Sequence, residues 1–267
     1  MQYQNFIIES LIEAAKIARE NFGKVSGTTK KEDNNQVLTE TDLTIGKLLV
    51  DKVKKEYPQH NIIDEETGVV DSNSDYTWII DPIDGTSNFA ASVPTYGIMI
   101  GLLENDAPIL GGIAIPNFNE IYYGEKGKGT FCNGKKIHVT EEKNLLSVLV
   151  SYGIDGQQEN PEATRKESEI LEEIILNSRN LRSSNSCFDV GMVAKGNYGA
   201  YLNQNQKIWD NVPEQIIIEQ AGGKVTDYFG NPLSYKSPLL NFKKNYTFCA
   251  ASPVLHTAIQ KIIQENR

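Results

Sequence analysis

The sequence is poor in the residues that build disulfide frameworks and zinc sites. It has 3 cysteines in 267 residues, at positions 132, 187 and 249. An odd number of widely spaced cysteines does not describe a disulfide framework, and the absence of a Cys-x-x-Cys pair gives no indication of zinc. The 3 histidines are scattered without a partner pattern, which is typical of structural or surface histidines.

Positive charge is also scarce. The chain has 26 lysines and arginines against 35 aspartates and glutamates, a formal net charge of −9. Its nearest approach to a basic run, Lys30-Lys31, is followed at once by Glu32 and Asp33. A chain without a basic cluster is not expected to bind nucleic acids or anionic membranes non-specifically.

Long apolar segments are missing as well. The first residues lack the basic region and apolar core of a signal peptide, and no apolar run reaches the length that crosses a bilayer. We therefore expect a cytoplasmic protein with no membrane partner. The hydrophobic fraction of 39% is nevertheless ordinary for a globular enzyme, so a chain of this length can form a full core without covalent cross-links.

Hydrophobic periodicity in the first half, residues 1–144, predicts an antiparallel sheet under two helices. Helical spacing covers Phe6–Phe22 and begins again near Asp42, ending at Tyr57-Pro58. The polar segment Gly23–Gln36 between them predicts a mobile loop. Short apolar runs predict strands at Asn61–Ile63, Trp78–Ile80, Tyr96–Leu103, Ile109–Ile115, Glu120–Tyr123 and Lys136–Val139.

The second half, residues 145–267, alternates strands with helices, which is typical of an α/β arrangement. Strands are predicted at Val148–Val150, Ala200–Leu202 and Tyr246–Ala250. Helices are predicted at Pro161–Asn177, Cys187–Lys195, Val212–Gln220 and Pro253–Gln264. No low-complexity linker separates the halves, so we expect one compact domain over residues 1–267.

The segment that carries most chemical information follows the apolar run Trp78-Ile79-Ile80. This run ends in two carboxylates, Asp81 and Asp84, followed by Gly85 and Thr86. Two carboxylates this close repel each other unless a cation lies between them, and oxygen ligands of this kind suit Mg²⁺, Mn²⁺ or Ca²⁺. Taken alone, a strand end followed by an acidic, proline-containing turn is the commoner explanation.

Other acidic residues stand in similar positions. Glu65 and Glu66 follow the apolar run at Asn61–Ile63, and Asp42 and Asp210 stand near the starts of helices. Each has an ordinary structural explanation. An acid at a helix start caps the helix and interacts with its dipole, and glutamates are mostly surface residues.

Together and in this order, these segments resemble the inositol monophosphatase family of Mg²⁺-dependent, Li⁺-sensitive phosphatases. The superfamily also contains fructose-1,6-bisphosphatases and 3′-phosphoadenosine 5′-phosphate phosphatases. Trp78–Phe89 is similar to the first family signature, Trp209–Gly223 to the second, and Gly127–Gly134 to the glycine-rich hairpin. The resemblance covers the whole chain and implies a mixed α+β and α/β fold, a layered αβαβα sandwich. It also implies a homodimer.

The resemblance further implies a set of metal ligands for two or three Mg²⁺ ions, with Mn²⁺ as a possible substitute. Glu65 matches a ligand of the first metal, Asp81 the carboxylate that bridges the first two, and Ile83 a backbone carbonyl ligand of the first. Asp84 and Asp210 match the remaining ligands of the second. Two cations about 3.5–4 Å apart can clamp the attacking and leaving oxygens of a phosphate displacement.

Catalytic and phosphate-binding residues follow from the same resemblance. Thr86 and Asp42 match the pair that orients and deprotonates the attacking water, and Thr86 is also a candidate helix N-cap, which is compatible with that role. Glu66 matches an acid beside the first metal, or is plain surface charge. The implied phosphate cradle consists of Gly85, Thr86 and Ser87. Lys31 stands near the place of a mobile basic residue of the family.

The sequence departs from the inositol-specific pattern in the residues expected to contact the rest of the substrate. Asn185 stands in the segment Arg182–Cys187 where a glycine is expected. The stretch Asn203–Lys207 has amides and a lysine where a carboxylate is expected. Asn185, Ser186 and Asn203 are candidate substrate-binding residues, and Lys207 could favour a second phosphate. They can equally be solvated loop residues.

The sequence therefore predicts a Mg²⁺-dependent phosphomonoesterase that hydrolyses a small polyol or sugar phosphate with metal-activated water. An alternative is a phosphatase of 3′-phosphoadenosine 5′-phosphate or fructose 1,6-bisphosphate. A further alternative is a regulatory binding protein on the same fold. The retained cluster of mutually repelling acids disfavours that last alternative, because a chain freed from catalysis has no physical reason to keep it.

Overall fold

The computed structural model describes residues 2–30 and 33–266. Its helices are α1 (Gln2–Asn21), α2 (Glu40–Glu56), α3 (Thr86–Ala90), α4 (Pro161–Leu176), α5 (Phe188–Ala194), α6 (Ile208–Gln220) and α7 (Pro253–Glu265). Its strands are β1 (Thr28–Lys30), β2 (Asp33–Leu38), β3 (Asn61–Asp64), β4 (Gly68–Val70), β5 (Tyr76–Asp84), β6 (Gly97–Glu104), β7 (Ala107–Ile115), β8 (Glu120–Glu125), β9 (Gly129–Cys132), β10 (Lys135–Ile137), β11 (Leu149–Gly153), β12 (Asn180–Arg182), β13 (Ala200–Gln206), β14 (Lys224–Thr226) and β15 (Tyr246–Ala251).

The strands form two large sheets and one hairpin. The order in the larger sheet is β10-β9-β8-β7-β6-β5-β3-β4, and β3 and β5 are its one parallel pair. The smaller sheet has the order β12-β11-β13-β15-β14, with β11 parallel to both its neighbours. The predicted antiparallel first half and α/β second half therefore correspond to separate sheets.

The helices cover both faces of both sheets. Helices α1 and α2 pack on one face of the larger sheet, while α6 packs on the other face and also contacts the smaller sheet. Helix α5 lies beside α6, and α4 packs with α7, which lies against β15. The layers are thus helix, sheet, helix, sheet, helix, which confirms the predicted αβαβα sandwich.

Glycines in β7 let two helices approach the larger sheet closely. A β-carbon at Gly111 would lie 2.9 Å from the Cα of Pro213 in α6. A β-carbon at the next residue, Gly112, would lie 2.4 Å from Cγ2 of Ile7 in α1. Neighbouring strand residues face opposite sides of a sheet, so these two glycines admit one helix each. The close packing of α6 matters for the site because its first turn carries Asp210.

The predicted loop Gly23–Gln36 was wrong in part, because β1 and β2 pair as an antiparallel hairpin. The segment is polar and has no hydrophobic alternation from which sequence reasoning could detect two strands. The short strands β4, β9, β12 and β14 were also missed. Three of them are three-residue edge strands, too short to show a pattern. No helix among the described residues is long and apolar enough to cross a membrane.

Candidate active site

Sheet topology brings the predicted acidic residues together. Strands β3 and β5 run parallel, and Asp64 pairs with Ile80, so both strands end at the same edge of the larger sheet. The backbone N–H of Glu65 donates to the carbonyl of Ile80 at 3.2 Å. Helix α6 packs against β5 and brings Asp210 to this edge. The site is therefore assembled where two strands end and one helix begins.

Asp81, Asp84 and Asp210 form a tight carboxylate group. Each offers an oxygen that lies within 4.8 Å of the others. Asp81 is buried, and its Oδ1 accepts no hydrogen bond from the described residues. Glu65 lines the same pocket. We call Glu65, Asp81, Asp84 and Asp210 the acidic cluster.

Burial and mutual repulsion disfavour the charged form of the carboxylates in the acidic cluster. Burial raises the pKa of Asp81 well above its usual range, and the charges of Glu65 and Asp84 raise it further. Burial likewise raises the pKa of Asp84, with repulsion from Asp210 adding to it. Buried carboxylates keep their charge at neutral pH only beside compensating positive charge. The orphaned Asp81 oxygen and the all-oxygen donor set fit a hard divalent cation such as Mg²⁺.

Backbone hydrogen bonds orient two of the carboxylates. The N–H of Cys187 donates to Asp84 Oδ2, and the N–H of Lys207 donates to Asp210 Oδ2 at 2.6 Å. Asp210 therefore caps the first turn of α6 with one oxygen and keeps the other for the cluster. The carbonyl of Ile83, which also lines the pocket, accepts from Thr86 Oγ1 at 2.8 Å, and a carbonyl has a second lone pair for another partner.

Thr86 and Asp42 are in contact although 44 residues separate them. Thr86 Oγ1 lies 3.1 Å from Asp42 Oδ1. Asp42 is 1% exposed, and its Oδ2 accepts from the N–H of Thr39 at 2.9 Å in a capping box of α2. Burial raises the pKa of Asp42, and the hydrogen bonds from Thr39 and Thr86 lower it in part. Asp42 is thus both a helix cap and the partner of Thr86.

The turn before α3 contains the residues that the sequence predicts to bind phosphate. Gly85, not Thr86, is the N-cap residue of α3, with a φ of 78° that favours glycine. A β-carbon there would also lie 2.9 Å from Cβ of Ser186. The prediction that Thr86 is the N-cap was therefore wrong. Its hydroxyl instead contacts Asp42 Oδ1 and the carbonyl of Ile83. Gly85, Thr86 and Ser87 all line the pocket.

Sequence reasoning missed a lysine beside the acidic cluster. Lys30 Nζ lies 2.8 Å from Glu65 Oε1 and 2.8 Å from Glu66 Oε1. Burial acts to lower the pKa of Lys30, but the charges and hydrogen bonds of Glu65 and Glu66 raise it above its usual value. Glu66 does not line the pocket, so it reaches the cluster through Lys30. Lys31, the basic residue chosen from the sequence, lies outside the described residues.

The candidate substrate-binding residues differ in their access to the pocket. Asn185 and Asn203 line it, whereas Ser186 is buried and donates to the carbonyl of Thr95 at 3.0 Å. Asn203 is already engaged, because its Nδ2 donates to Tyr201 Oη at 3.0 Å and its Oδ1 accepts from a backbone N–H at 2.7 Å. Five amide side chains line the pocket, and we call four of them, all but Asn88, the amide cluster: Asn185, Asn203, Asn205 and Gln206.

Two acids next to the amide cluster were also missed. Asp155 lines the pocket, and its Oδ1 accepts from Asn185 Nδ2 at 3.0 Å. Glu214 is 1% exposed, and its Oε2 accepts from Gln206 Nε2 at 2.7 Å. A glutamate within the apolar face of α6 is a detectable signal of a buried polar contact. Asp155 gave no such signal, because Gly-Ile-Asp-Gly is ordinary turn sequence.

Comparison with known proteins agrees with this geometry. The sequence matches the family model "Inositol monophosphatase family" over residues 2–267. Two relatives described as "Fructose-1,6-bisphosphatase/inositol-1-monophosphatase" are similar over nearly their whole length. The protein of Thermotoga maritima is 31% identical, covering 99% of this chain and 97% of the relative. That of Aquifex aeolicus is 29% identical, covering 90% and 94%.

The fold agrees as well. The solved structure of an inositol monophosphatase of Thermotoga maritima matches with a TM-score of 0.87 and 28% identity, over 100% of this chain and 98% of that one. The family model and the fold thus cover the acidic cluster, the Thr86 turn and the amide cluster together. The chain belongs to the inositol monophosphatase family, a metal-dependent family of phosphoric monoester hydrolases.

Proposed function

We propose that this protein is a Mg²⁺-dependent phosphomonoesterase that hydrolyses the phosphate ester of a small polyol or sugar. The observation that carries the proposal is the grouping of the Asp81, Asp84 and Asp210 carboxylates within 4.8 Å of one another. They share one pocket with Gly85 and Thr86, so a metal centre and a phosphate cradle are adjacent. Family membership supports the same reaction class.

The acidic cluster and the carbonyl of Ile83 are the groups that would hold the metal. Mg²⁺ bound there would neutralise phosphate charge and lower the pKa of the attacking water. Four carboxylates converging on one pocket supply the negative charge that holds divalent cations. The backbone donors from Cys187 and Lys207 fix Asp84 and Asp210 in orientation, so little rearrangement is needed on binding.

The Thr86–Asp42 pair is suited to accept a proton from water. When Thr86 Oγ1 donates its single hydrogen to Asp42 Oδ1, its lone pairs are left to accept a hydrogen bond from the attacking water. As the water attacks phosphorus and the bond from phosphorus to the leaving-group oxygen breaks, the water proton passes to Thr86 Oγ1 while the threonine proton moves to Asp42. The leaving oxygen takes a proton from solvent, so that the products are the alcohol and inorganic phosphate. Burial raises the pKa of Asp42, which makes it a better proton acceptor than a solvated aspartate.

Attack by water, without a covalent phosphoenzyme, fits the side chains at the site. Cys187 is the cysteine nearest the acidic cluster, with its N–H on Asp84, but its side chain is fully buried. Burial raises the pKa of the Cys187 thiol well above its usual value, so it is not a thiolate nucleophile. The proposed nucleophile is therefore water, oriented by Thr86.

A phosphate-release assay tests the proposal. The purified chain would be given inositol 1-phosphate, fructose 1,6-bisphosphate and 3′-phosphoadenosine 5′-phosphate with Mg²⁺, and each assay repeated with EDTA. We expect Mg²⁺-dependent release that is fastest with the polyol monophosphate. The absence of Mg²⁺-dependent release from every phosphate ester would contradict the proposal, and preference for the adenosine bisphosphate would assign the alternative function.

Several family expectations stay predictions. Inhibition by millimolar Li⁺ can be checked in the same assay, and a homodimer by light scattering after size-exclusion chromatography. Mn²⁺ is expected to replace Mg²⁺. The single-domain organisation and the cytoplasmic location also remain expectations from the sequence.

A further inference from the structure

Tyr201 brings a phenolic hydroxyl to the pocket and has no acceptor for its hydrogen. The residue lies in β13, lines the pocket and is 1% exposed. Both hydrogen bonds at its Oη come from donors, from Asn203 Nδ2 at 3.0 Å and from Gln206 Nε2 at 3.5 Å. In the part of the chain that the structure describes, no group accepts a hydrogen bond from Tyr201 Oη.

The two neighbouring amides cannot serve as that acceptor. Asn203 Oδ1 accepts from the backbone N–H of Asn205 at 2.7 Å, which fixes the amide so that its Nδ2 faces Tyr201. Gln206 is too distant, whichever way its amide faces, because 3.5 Å exceeds the separation of about 2.5–3.0 Å in an O–H···O hydrogen bond. The hydrogen of Tyr201 is therefore available to a bound molecule.

The surroundings keep this hydrogen on the tyrosine. Burial raises the pKa of Tyr201 well above its usual value, and the charges of Glu214 and Asp189 raise it further. The hydroxyl thus remains a donor at neutral pH. A buried donor without an acceptor is costly, so an oxygen atom of a bound substrate that accepts this hydrogen is stabilised beside Tyr201.

Tyr201 lies between the two clusters of the pocket. It is hydrogen-bonded to Asn203 of the amide cluster, and the charge of Asp84 in the acidic cluster also acts on its hydroxyl. In the proposed function, the phosphate lies beside the acidic cluster and the rest of the substrate beside the amides. The ester oxygen that joins these two parts then lies at the boundary, which is where Tyr201 stands.

We infer that Tyr201 Oη donates a hydrogen bond to the ester oxygen of the substrate that becomes the leaving group. As the bond from phosphorus to this oxygen breaks, negative charge develops on it and the hydrogen bond strengthens. The donation from Asn203 polarises the tyrosine hydroxyl in the same direction. Tyr201 keeps its hydrogen, and the proton that completes the alcohol comes from solvent. This inference rests on the proposed function and adds a catalytic residue to the same site.

The test compares three substrates whose leaving oxygens differ in basicity. Inositol 1-phosphate releases the most basic oxygen, phenyl phosphate a less basic one, and p-nitrophenyl phosphate the least basic. Tyr201→Phe removes the hydroxyl. Tyr57→Phe is the matched control, because Tyr57 is also buried, its hydroxyl makes no hydrogen bond with the described residues, and it does not line the pocket. For each enzyme and substrate, kcat and KM would be measured separately with saturating Mg²⁺.

We expect Tyr201→Phe to lower kcat on inositol 1-phosphate about tenfold or more with little change in KM, because the lost interaction is strongest in the transition state. The loss on phenyl phosphate should be smaller. On p-nitrophenyl phosphate it should stay below about threefold, since a weakly basic leaving oxygen needs little stabilisation. Tyr57→Phe should change none of the three rates.

A second variant keeps the hydroxyl. Tyr201→3-fluorotyrosine makes the phenol a stronger donor and should preserve or raise kcat on inositol 1-phosphate, even if Tyr201→Phe does not fold. Equal losses in Tyr201→Phe on all three substrates would show a structural role and overturn the inference. An unchanged kcat on inositol 1-phosphate in that variant, or a fall in the fluorinated one, would overturn it as well. The proposed function would survive each of these results, and only the absence of Mg²⁺-dependent hydrolysis in the unaltered enzyme would end both.

Discussion

The acidic cluster and the amide cluster line one pocket but are built on different principles. The acidic cluster places four carboxylates, Glu65, Asp81, Asp84 and Asp210, at or near the ends of regular elements, and backbone donors orient two of them, Asp84 and Asp210. The amide cluster is neutral and comes from β13 and from the turn before α5. We expect the first to hold a cation and the second to contact the part of the substrate beyond the phosphate. On this proposal, separate parts of the fold determine the reaction and the choice of substrate.

The two clusters also differ in what holds them together. Repulsion and burial raise the pKa values of the acidic cluster, so its geometry is favourable only with a compensating charge. The amide cluster is held by hydrogen bonds to neighbouring side chains, since Asn203 donates to Tyr201 and Gln206 donates to Glu214. Changes in the first should therefore affect every substrate, and changes in the second should discriminate between substrates.

The largest effect is expected from Asp81→Asn. Losing the most buried carboxylate of the acidic cluster should lower kcat/KM about 10³-fold or more on every substrate, because charge at the reacting phosphate is no longer balanced. The metal-free variant should melt at or above the temperature of the unaltered protein, since one repelling charge is gone. Phosphate release and thermal unfolding measure the two effects. Retained turnover on any one substrate would contradict the expectation that every substrate depends on the acidic cluster.

A smaller effect is expected at Thr86. Thr86→Ala removes the hydroxyl that contacts Asp42 Oδ1 and should lower kcat about 10²-fold with little change in KM. Thr86→Ser keeps the hydroxyl and should stay within about tenfold of the unaltered enzyme on that basis. Steady-state kinetics on a polyol monophosphate and on p-nitrophenyl phosphate measure both variants. Equal rates for the alanine and serine variants would contradict the proton-accepting role.

Substitution of Lys207 should change kcat/KM much less than the substitutions at Asp81 and Thr86. Its ammonium contacts Lys243 and Asn245 in an exposed loop, where such interactions contribute about 1 kcal/mol or less. Lys207→Gln should therefore change kcat/KM on inositol 1-phosphate less than about threefold, within the range of that free energy. The same measurement on fructose 1,6-bisphosphate tests Lys207 more directly, because this substrate carries a second phosphate. A large, selective loss there would show that Lys207 binds a second phosphate.

A residue outside both clusters should change stability and leave activity alone. Burial lowers the pKa of His256 to about 4, against about 6.5 in an unfolded chain. The unfolded state therefore takes up the proton first, and stability is lost as pH falls from about 6.5 to about 4. In His256→Gln, the free energy of unfolding measured by urea should fall less over that interval, with turnover unchanged at neutral pH. An identical pH dependence in both proteins would refute this role.

The sequence was a good guide to the acidic cluster and a poor one to the amide cluster, for a physical reason. Asp81, Asp84 and Asp210 stand at strand and helix ends, which hydrophobic patterns locate, and their motifs are local. Asp155 and Asn185 meet only because β11 and the turn before α5 are brought together by the smaller sheet. Lys30 was missed because the pairing of the β1–β2 hairpin has no hydrophobic signal. Local sequence patterns do not reveal long-range contacts between polar loops.

The same contrast holds for the fold. Six of the seven described helices were predicted within a few residues, because each carries a clear apolar face, whereas the five-residue helix α3 was not predicted. Helix α6 begins at Ile208, four residues before the predicted start at Val212, because Asp210 caps its first turn through the N–H of Lys207. The edge strands β4, β12 and β14 were not predicted. A strand of three residues at the edge of a sheet is too short to show a pattern of alternating apolar residues.

Crystals soaked in Mn²⁺ would show whether the acidic cluster binds a metal ion. Mn²⁺ scatters X-rays anomalously, so its position can be located independently of the protein atoms. We expect anomalous peaks between the carboxylates of Asp81, Asp84 and Asp210, with Glu65 and the Ile83 carbonyl as further ligands. A map with no peak at these carboxylates, from crystals of protein that hydrolyses phosphate esters with Mn²⁺, would contradict it.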